Sequence, residues 1–197
     1  MCFQIKEHAI PVFKPKRMVS FAAIKHVNGE LDRLEEIGVI QKVEHAKWAM
    51  VCIKKTNNKI RVCADFSTGL NECLKMCHYL LPTPEDIFAK LNRGKIFLKL
   101  DLSDAFLQIR VDEGCSKYLT VNTHKRLYKY NKLPFGLNFT SAIIQQVMNA
   151  MLTDCEFAIP YLDNILIKSE SCDQHVEHVK CVLKNKRLLF HTERRKI

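Results

Sequence analysis

No stretch of the 197-residue sequence approaches the ~18 apolar residues that a membrane-crossing helix needs, so no membrane partner is expected. The opening MCFQIKEHAIPVFKPKR lacks the continuous apolar core of a secretory leader, which predicts an intracellular protein, cytoplasmic or nuclear. The nine cysteines are odd in number and show no short disulfide-scaffold spacing, so they read as thiols of a reducing compartment. Internal repeats, low-complexity tracts and a regular strand-helix rhythm are all missing, which excludes solenoids and doubly wound sheets. Neither a GxxxxGK phosphate loop nor a GxGxxG turn after a strand is present, so no P-loop or dinucleotide fold is offered.

Acidic residues are in deficit. Lys and Arg number 31 against 21 Asp and Glu, a formal charge of +10, which favours a polyanionic partner because each neutralised phosphate releases counterions. With 47% hydrophobic residues the chain can build a sizeable core. Two groups have metal-ligand residue types: Cys73, Cys77 and His78, and Cys172, His175, His178 and Cys181. The second falls at intervals of three in an expected helix, where four residues wind around the axis and cannot converge on one tetrahedral ion, so no zinc is expected.

After an extended arm, Leu31, Leu34 and Ile37 recur at near-helical spacing over Gly29 to Val39, with Gly38 as a C-terminal stop. Trp48 to Lys55 and Ile60 to Phe66 read as a hairpin with a basic, polar tip at 56–59. Thr83, Pro84 and Asp86 supply an N-cap, a first-turn proline and an acidic first turn for a helix ending near Gly94. That helix feeds KIFLKLDL, an apolar strand ending on Asp101, with a turn over Ser103 to Phe106. Two strand-like runs lie in Tyr118 to Lys132. Thr140 and Ser141 then cap a helix bearing Ile143, Ile144, Val147, Met148, Met151 and Leu152. Phe157 to Leu162 and Ile165 to Ile167 flank a hairpin turn at Asp163 and Asn164. Ser171 and Gln174 make a capping box for a last helix bearing Val176, Val179 and Leu183. The class is α+β.

Asp101 and Asp163 each stand where an apolar strand gives way to a turn. A strand-end aspartate is more often a turn former than a ligand, but two on neighbouring strands would converge and suit Mg²⁺, a hard ion that prefers oxygen.

Three segments in order, KLDLSDAFLQIRVDE, KLPFGLNFTSAIIQQVMN and IPYLDNILIKS, closely resemble the palm motifs of reverse transcriptases from gypsy-type long-terminal-repeat retrotransposons. KIRVCADF followed by Asn71, and YLLPTPEDIFAKLNRGKIF, match the same family, and the resemblance covers about Glu30 to Phe190. It implies a right-hand polymerase fingers and palm, with an antiparallel palm sheet backed by helices and no thumb. The division would be an arm over 1–25, fingers mainly over 26–83 and 115–139, palm mainly over 84–114 and 140–190, and a truncated tail over 191–197. Asp101 and Asp163 would be the ligands of two Mg²⁺ ions, with Mn²⁺ as a substitute. Phe106 resembles the steric gate against a ribose 2′-hydroxyl, with a core aromatic as the alternative. Lys54 and Arg61 resemble the fingers cations that meet an incoming triphosphate, and Phe135 with Gly136 the turn beside the nucleotide pocket.

The resemblance implies a two-metal nucleotidyl transfer from deoxynucleoside triphosphates to a primer on an RNA or DNA template, within a larger pol polyprotein carrying the thumb and ribonuclease H. Two departures bear on this. The family hairpin reads Tyr, any residue, Asp, Asp, and here it reads Tyr161, Leu162, Asp163, Asn164, one carboxylate short. Ser67 also replaces a basic residue common after the Asp-Phe of the fingers. Since phosphoryl-transfer catalysis is largely electrostatic, polymerisation is expected to be strongly reduced or absent. The alternatives are a catalytically dead nucleic-acid-binding remnant and the product of a decayed retroelement.

Overall fold

The computed structural model describes residues 1–57, 59–75, 79–102 and 104–184, without the side chains of 51–61 and 68. The chain forms two compact units, residues 1–76 with 109–140 and residues 77–108 with 141–197.

In the first unit, helix α1 (Phe21–Glu36) buries Ala23, Val27, Leu31 and Leu34, one stripe at spacings of four, four and three. It ends at Gly38, whose φ of 70° is left-handed; the Gly38 and Val39 amides donate to the carbonyls of Glu35 (3.0 Å) and Leu34 (2.9 Å), closing a Schellman motif. The helix begins eight residues before Gly29. Phe21 is almost fully exposed and adds nothing to the periodic stripe, and Ile37, expected inside, is a half-exposed cap residue.

Strands β1 (Ile40–Val43), β2 (Met50–Asn57) and β3 (Lys59–Asp65) follow, then a 3₁₀ turn (Phe66–Thr68) and the short helix α2 (Leu70–Cys73). The second unit then opens with helix α3 (Pro84–Leu91), strand β4 (Ile96–Asp101) and a 3₁₀ turn (Ala105–Gln108). The chain returns to the first unit for helix α4 (Glu113–Ser116) and strands β5 (Thr120–Asn122) and β6 (Leu127–Tyr130). The first unit's sheet has the order β1-β6-β5-β2-β3. Every pairing is antiparallel except β2 with β5, where Met50 and Val51 run parallel to Val121 and Asn122. Leu31, Met50, Phe66, Leu70, Leu119, Tyr128 and Leu133 are essentially inaccessible to solvent. Each such side chain contributes on the order of 1.5–3 kcal/mol.

The second unit is completed by helix α5 (Thr140–Met151), which starts at its edge, strands β7 (Ala158–Tyr161) and β8 (Asn164–Ser169), and helix α6 (Cys172–Lys184). Its sheet is antiparallel throughout, in the order β4-β8-β7. Ile165, Ile167 and Ser169 of β8 are buried, α6 packs on β8 and α3 on β7. Pro160 sits on the terminal strand β7, where its missing amide costs no ladder bond.

Two expectations are corrected here. Asn164 is the first residue of β8, paired with Tyr161 and Asp101, so the turn itself is Leu162 and Asp163. In α6 the residue sealed from solvent is Val182, while Val176 and Leu183 are half exposed. The capping box there is also split: Gln174 takes the Ser171 hydroxyl on its amide (3.4 Å), but its side chain accepts from Glu170 (2.9 Å).

Candidate active site

Strand β4 alternates: Phe97, Lys99 and Asp101 are exposed while Ile96, Leu98 and Leu100 are more covered. Asp101 ends the strand directly opposite Asn164, and the Leu102 amide donates to the Asp163 carbonyl (2.9 Å). The tip of the β7–β8 hairpin is thereby tied to the end of β4, which brings Asp101, Asp163 and Asn164 together on one edge of a single unit.

The hairpin turn is tight and locally unfavourable. Leu162 has φ 54°, a left-handed conformation that costs a side-chain-bearing residue roughly 1–2 kcal/mol. Gln145 of α5, 1% exposed, holds it there. Its Oε1 accepts the Leu162 amide (2.8 Å), and its Nε2 donates to the Pro160 carbonyl (2.9 Å) and to Asn149 Oδ1 (3.0 Å). Asn149 in turn donates to the Tyr79 hydroxyl (2.5 Å). Gln145 is a positioning residue that pattern reading passed over, because an amide inside an apolar helical run looks like a gap in the stripe. Its trace in the sequence is that it lies on the buried side, between Ile144 and Met148.

The electrostatics show what the asparagine does. Asn164 Nδ2 donates to Asp163 Oδ1 (3.0 Å), occupying one carboxylate oxygen with an amide hydrogen, and Lys99 Nζ stands 3.4 Å from Asp101 Oδ1. Both aspartates are exposed, with acceptor-only oxygens suited to a hard cation. Among the described residues no three His, Cys, Asp or Glu side chains are grouped closely enough to hold an ion.

Phe106 lies in the 3₁₀ turn after β4, partly exposed, and the turn is entered through Asp104, whose φ is 44° and whose carbonyl accepts the Leu107 amide (2.8 Å). The other expected substrate residues belong to the first unit. Lys54 pairs with Val62 and Arg61 with Lys55 across the β2–β3 ladder, so the two cations occupy successive rather than facing positions; their side chains lie outside the description. Gly136 has φ 95°, and an added Cβ would meet the Ala64 carbonyl and the Phe66 ring only at ordinary distance, so the backbone angle rather than crowding calls for glycine. Asn71 fixes this loop by donating to the Gly136 carbonyl (2.9 Å) and accepting the Asn138 amide (3.2 Å), beside the partly exposed Phe135.

Residues 41–190 match the family model described as reverse transcriptase (RNA-dependent DNA polymerase). The chain belongs to the reverse transcriptase family. Over 177 residues this reverse transcriptase chain is 42% identical to an uncharacterized protein of Caenorhabditis elegans, covering 88% of the chain and 14% of that protein. It is 32% identical over 160 residues to the transposon Tf2-7 polyprotein of Schizosaccharomyces pombe, covering 80% of the chain and 12% of the polyprotein. The chain thus spans about one-seventh or less of the curated relatives it matches. Its fold is that of the foamy viral protease-reverse transcriptase solved with RNA/DNA hybrid (TM-score 0.84, 16% identity, 94% of this chain and 25% of that one). A foamy viral protease-reverse transcriptase dRH solved in complex with double-stranded DNA gives 0.82 at 17% identity, over 94% of this chain and 33% of that one.

Of the groups with metal-ligand residue types, Cys77 and His78 lie outside the described residues. In α6, Cys172 and Cys181 are exposed, while His175 and His178 both turn Nδ1 to the buried Ser169 hydroxyl (2.9 Å each). His178 Nδ1 also donates to the Lys168 carbonyl (3.1 Å), which fixes its proton on that nitrogen, and its ring stacks on Phe157 at 3.7 Å. Among the described residues no helix is long and apolar enough to cross a membrane.

Proposed function

We propose that this reverse transcriptase chain is the fingers and palm portion of a gypsy-type retrotransposon polymerase, with nucleotidyl transfer crippled at its metal site. The observation that carries this reading is that the β7–β8 turn bearing Asp163 is tied to the end of β4 at Asp101, with Asn164 bonded to Asp163 where a third carboxylate would stand. The unit of 77–108 and 141–197 would act as palm, and that of 1–76 and 109–140 as fingers. The resemblance would set finer limits, with an arm over 1–25 and a tail over 191–197.

Asp101 and Asp163 would hold Mg²⁺, or Mn²⁺ in its place, and their paired oxygens suit it. When bound, such ions lower the pKa of a primer 3′-hydroxyl and neutralise a departing pyrophosphate. The chain's own contribution is positional. Gln145 and the Leu102 amide fix the hairpin tip, Phe106 would exclude a 2′-hydroxyl, and Lys54 and Arg61 would meet the triphosphate. Gly136 and Phe135 would border the nucleotide. Asn164 keeps the shape of aspartate but supplies a donor and removes a charge, which weakens electrostatic stabilisation of the transition state. The partners would be an RNA or DNA template-primer, deoxynucleoside triphosphates and the rest of a pol polyprotein, inside the cell.

A second reading, a nucleic-acid-binding remnant without catalysis, is favoured by the same Asn164 to Asp163 bond and by the charge of +10. Primer extension on a primed RNA template with Mg²⁺, by this chain and its Asn164→Asp variant, separates the two. Extension by the variant that exceeds the parent by on the order of a hundredfold supports the impaired polymerase. Salt-dependent binding of the template by both, with extension by neither in Mg²⁺ or Mn²⁺, leaves the binding remnant. Neither binding nor extension by either points to the product of a decayed element.

A further inference from the structure

In the first unit, the Cys2 and Cys115 sulfurs lie 2.7 Å apart. A disulfide bond is about 2.05 Å long, so closure needs a shift of well under an ångström. The approach does not depend on the sulfurs themselves. The Phe3 amide donates to Cys115 Sγ (3.3 Å), and the Phe3 ring packs against Phe139 (5.2 Å) and Tyr118 (6.1 Å). Further along the arm, Ile5 bridges to Leu74, the Lys6 amide donates to the Cys73 carbonyl (2.9 Å) and the Lys75 amide to the Gln4 carbonyl (3.0 Å). The arm is laid onto the unit on both sides of Cys2's neighbour, and the thiol pair is delivered by that docking.

We propose that Cys2 and Cys115 are a redox-active pair that closes to an intramolecular disulfide when the chain meets a small-molecule disulfide such as oxidised glutathione. The two thiols have different access, which sets the order of events. Cys2 is exposed, whereas Cys115 is 3% exposed, and burial, with the neighbouring Cys2 thiol and the Asp112 carboxylate, raises its thiol above the usual range. Solvent oxidant therefore reacts at Cys2 first. The Cys2 thiolate attacks one glutathione sulfur, the glutathione disulfide bond breaks, and one glutathione leaves as its thiol. The Cys115 thiolate then attacks Cys2 Sγ and expels the second glutathione. Two protein thiols are oxidised, one glutathione disulfide is reduced, and the two protons go to the two glutathiones. The bond would clasp the arm to α4, across 113 positions of sequence.

The test uses the full chain, fully reduced, equilibrated in graded oxidised and reduced glutathione, quenched with acid and blocked with N-ethylmaleimide. Digestion without reduction is then read by mass spectrometry. The expected product is a linked peptide pair carrying Cys2 and Cys115, lighter by two hydrogens than its parts, formed at a glutathione disulfide level at least about tenfold lower than the urea-unfolded chain requires. Cys2→Ser, at an exposed position, should fold, lose the linked peptide and leave Cys115 unlabelled until urea is added. Cys115→Ser should trap Cys2 as a stable glutathione adduct. The inference is overturned if the folded parent accumulates the Cys2 glutathione adduct or free Cys2 without the linked peptide. It is equally overturned if the link forms no more readily in the folded chain than in urea.

Discussion

At the scale of single residues, the hairpin that presents Asp163 is held by a side chain with no chemistry of its own. Gln145 uses both ends of its amide, and replacing it with leucine leaves the part-buried Leu162 amide and Pro160 carbonyl without their partner. Each orphaned group costs about 1–3 kcal/mol, so Gln145→Leu should lower the unfolding free energy by about 2–4 kcal/mol in urea titration. A loss under about 1 kcal/mol would mean that the turn holds its left-handed residue unaided. Asn164 is the opposite case. It stands in register with Asp101 and bonded to Asp163, and on the proposed reading its amide would take the place of a carboxylate of the same shape, changing charge and not packing.

Much was legible at this scale. The strand-end places of Asp101 and Asp163 could be read directly. Lys99 beside Asp101 and Gln145 beneath the turn could not, since both meet their partners through tertiary placement of an alternating strand and a helix, respectively.

Among the elements, α3 is the one whose local sequence leaves least to tertiary context. Thr83 accepts the Asp86 amide (3.2 Å) while Asp86 accepts the Thr83 amide and hydroxyl (2.9 Å each), with Pro84 at the first turn. The Thr83 amide, then its hydroxyl, and to a smaller degree Lys90, hold the Asp86 carboxyl below the usual aspartate value. A depressed folded pKa gives stability that is present above the unfolded value and fades as pH falls through the folded one. Asp86→Asn should therefore destabilise the chain at pH 7, and the gap between variant and parent in thermal melts should narrow steadily below about pH 4. A gap that stays constant down to pH 2 would place the effect outside the carboxylate.

Other elements were less readable, for physical reasons. The first turns of α1 carry exposed Phe21 and so no amphipathic signal. In α6 the apolar residues outnumber the positions that the sheet covers, so spacing alone could not choose between Val179 with Val182 and Val176 with Leu183. The parallel contact of β2 with β5 joins residues some seventy positions apart, and nothing local marks such a pairing.

For the molecule as a whole, the α+β class and the family were legible because several ordered motifs agreed, while a division of the chain into two discontinuous units is written in no single stretch and was expected only through the resemblance. The charge of +10 belongs to this scale, since it acts as a summed field and not through any one contact. If the chain binds primed template, its affinity should fall at least about tenfold between about 50 and about 200 mM salt, as filter binding would show. A flat response would remove the polyanion reading and leave the charge as a solubility feature.

The second unit's small sheet ends on β7 on one side and on β4 on the other. Pro160 interrupts the outer row of amides on β7, and β4 carries Lys99 and Asp101 among its exposed side chains. A stray strand seeking to extend the sheet meets a missing donor at one margin and opposed charges at the other. The hairpin that would present the metal ligands thus lies in a sheet whose two margins are poorly suited to pairing with a strand from another copy of the chain.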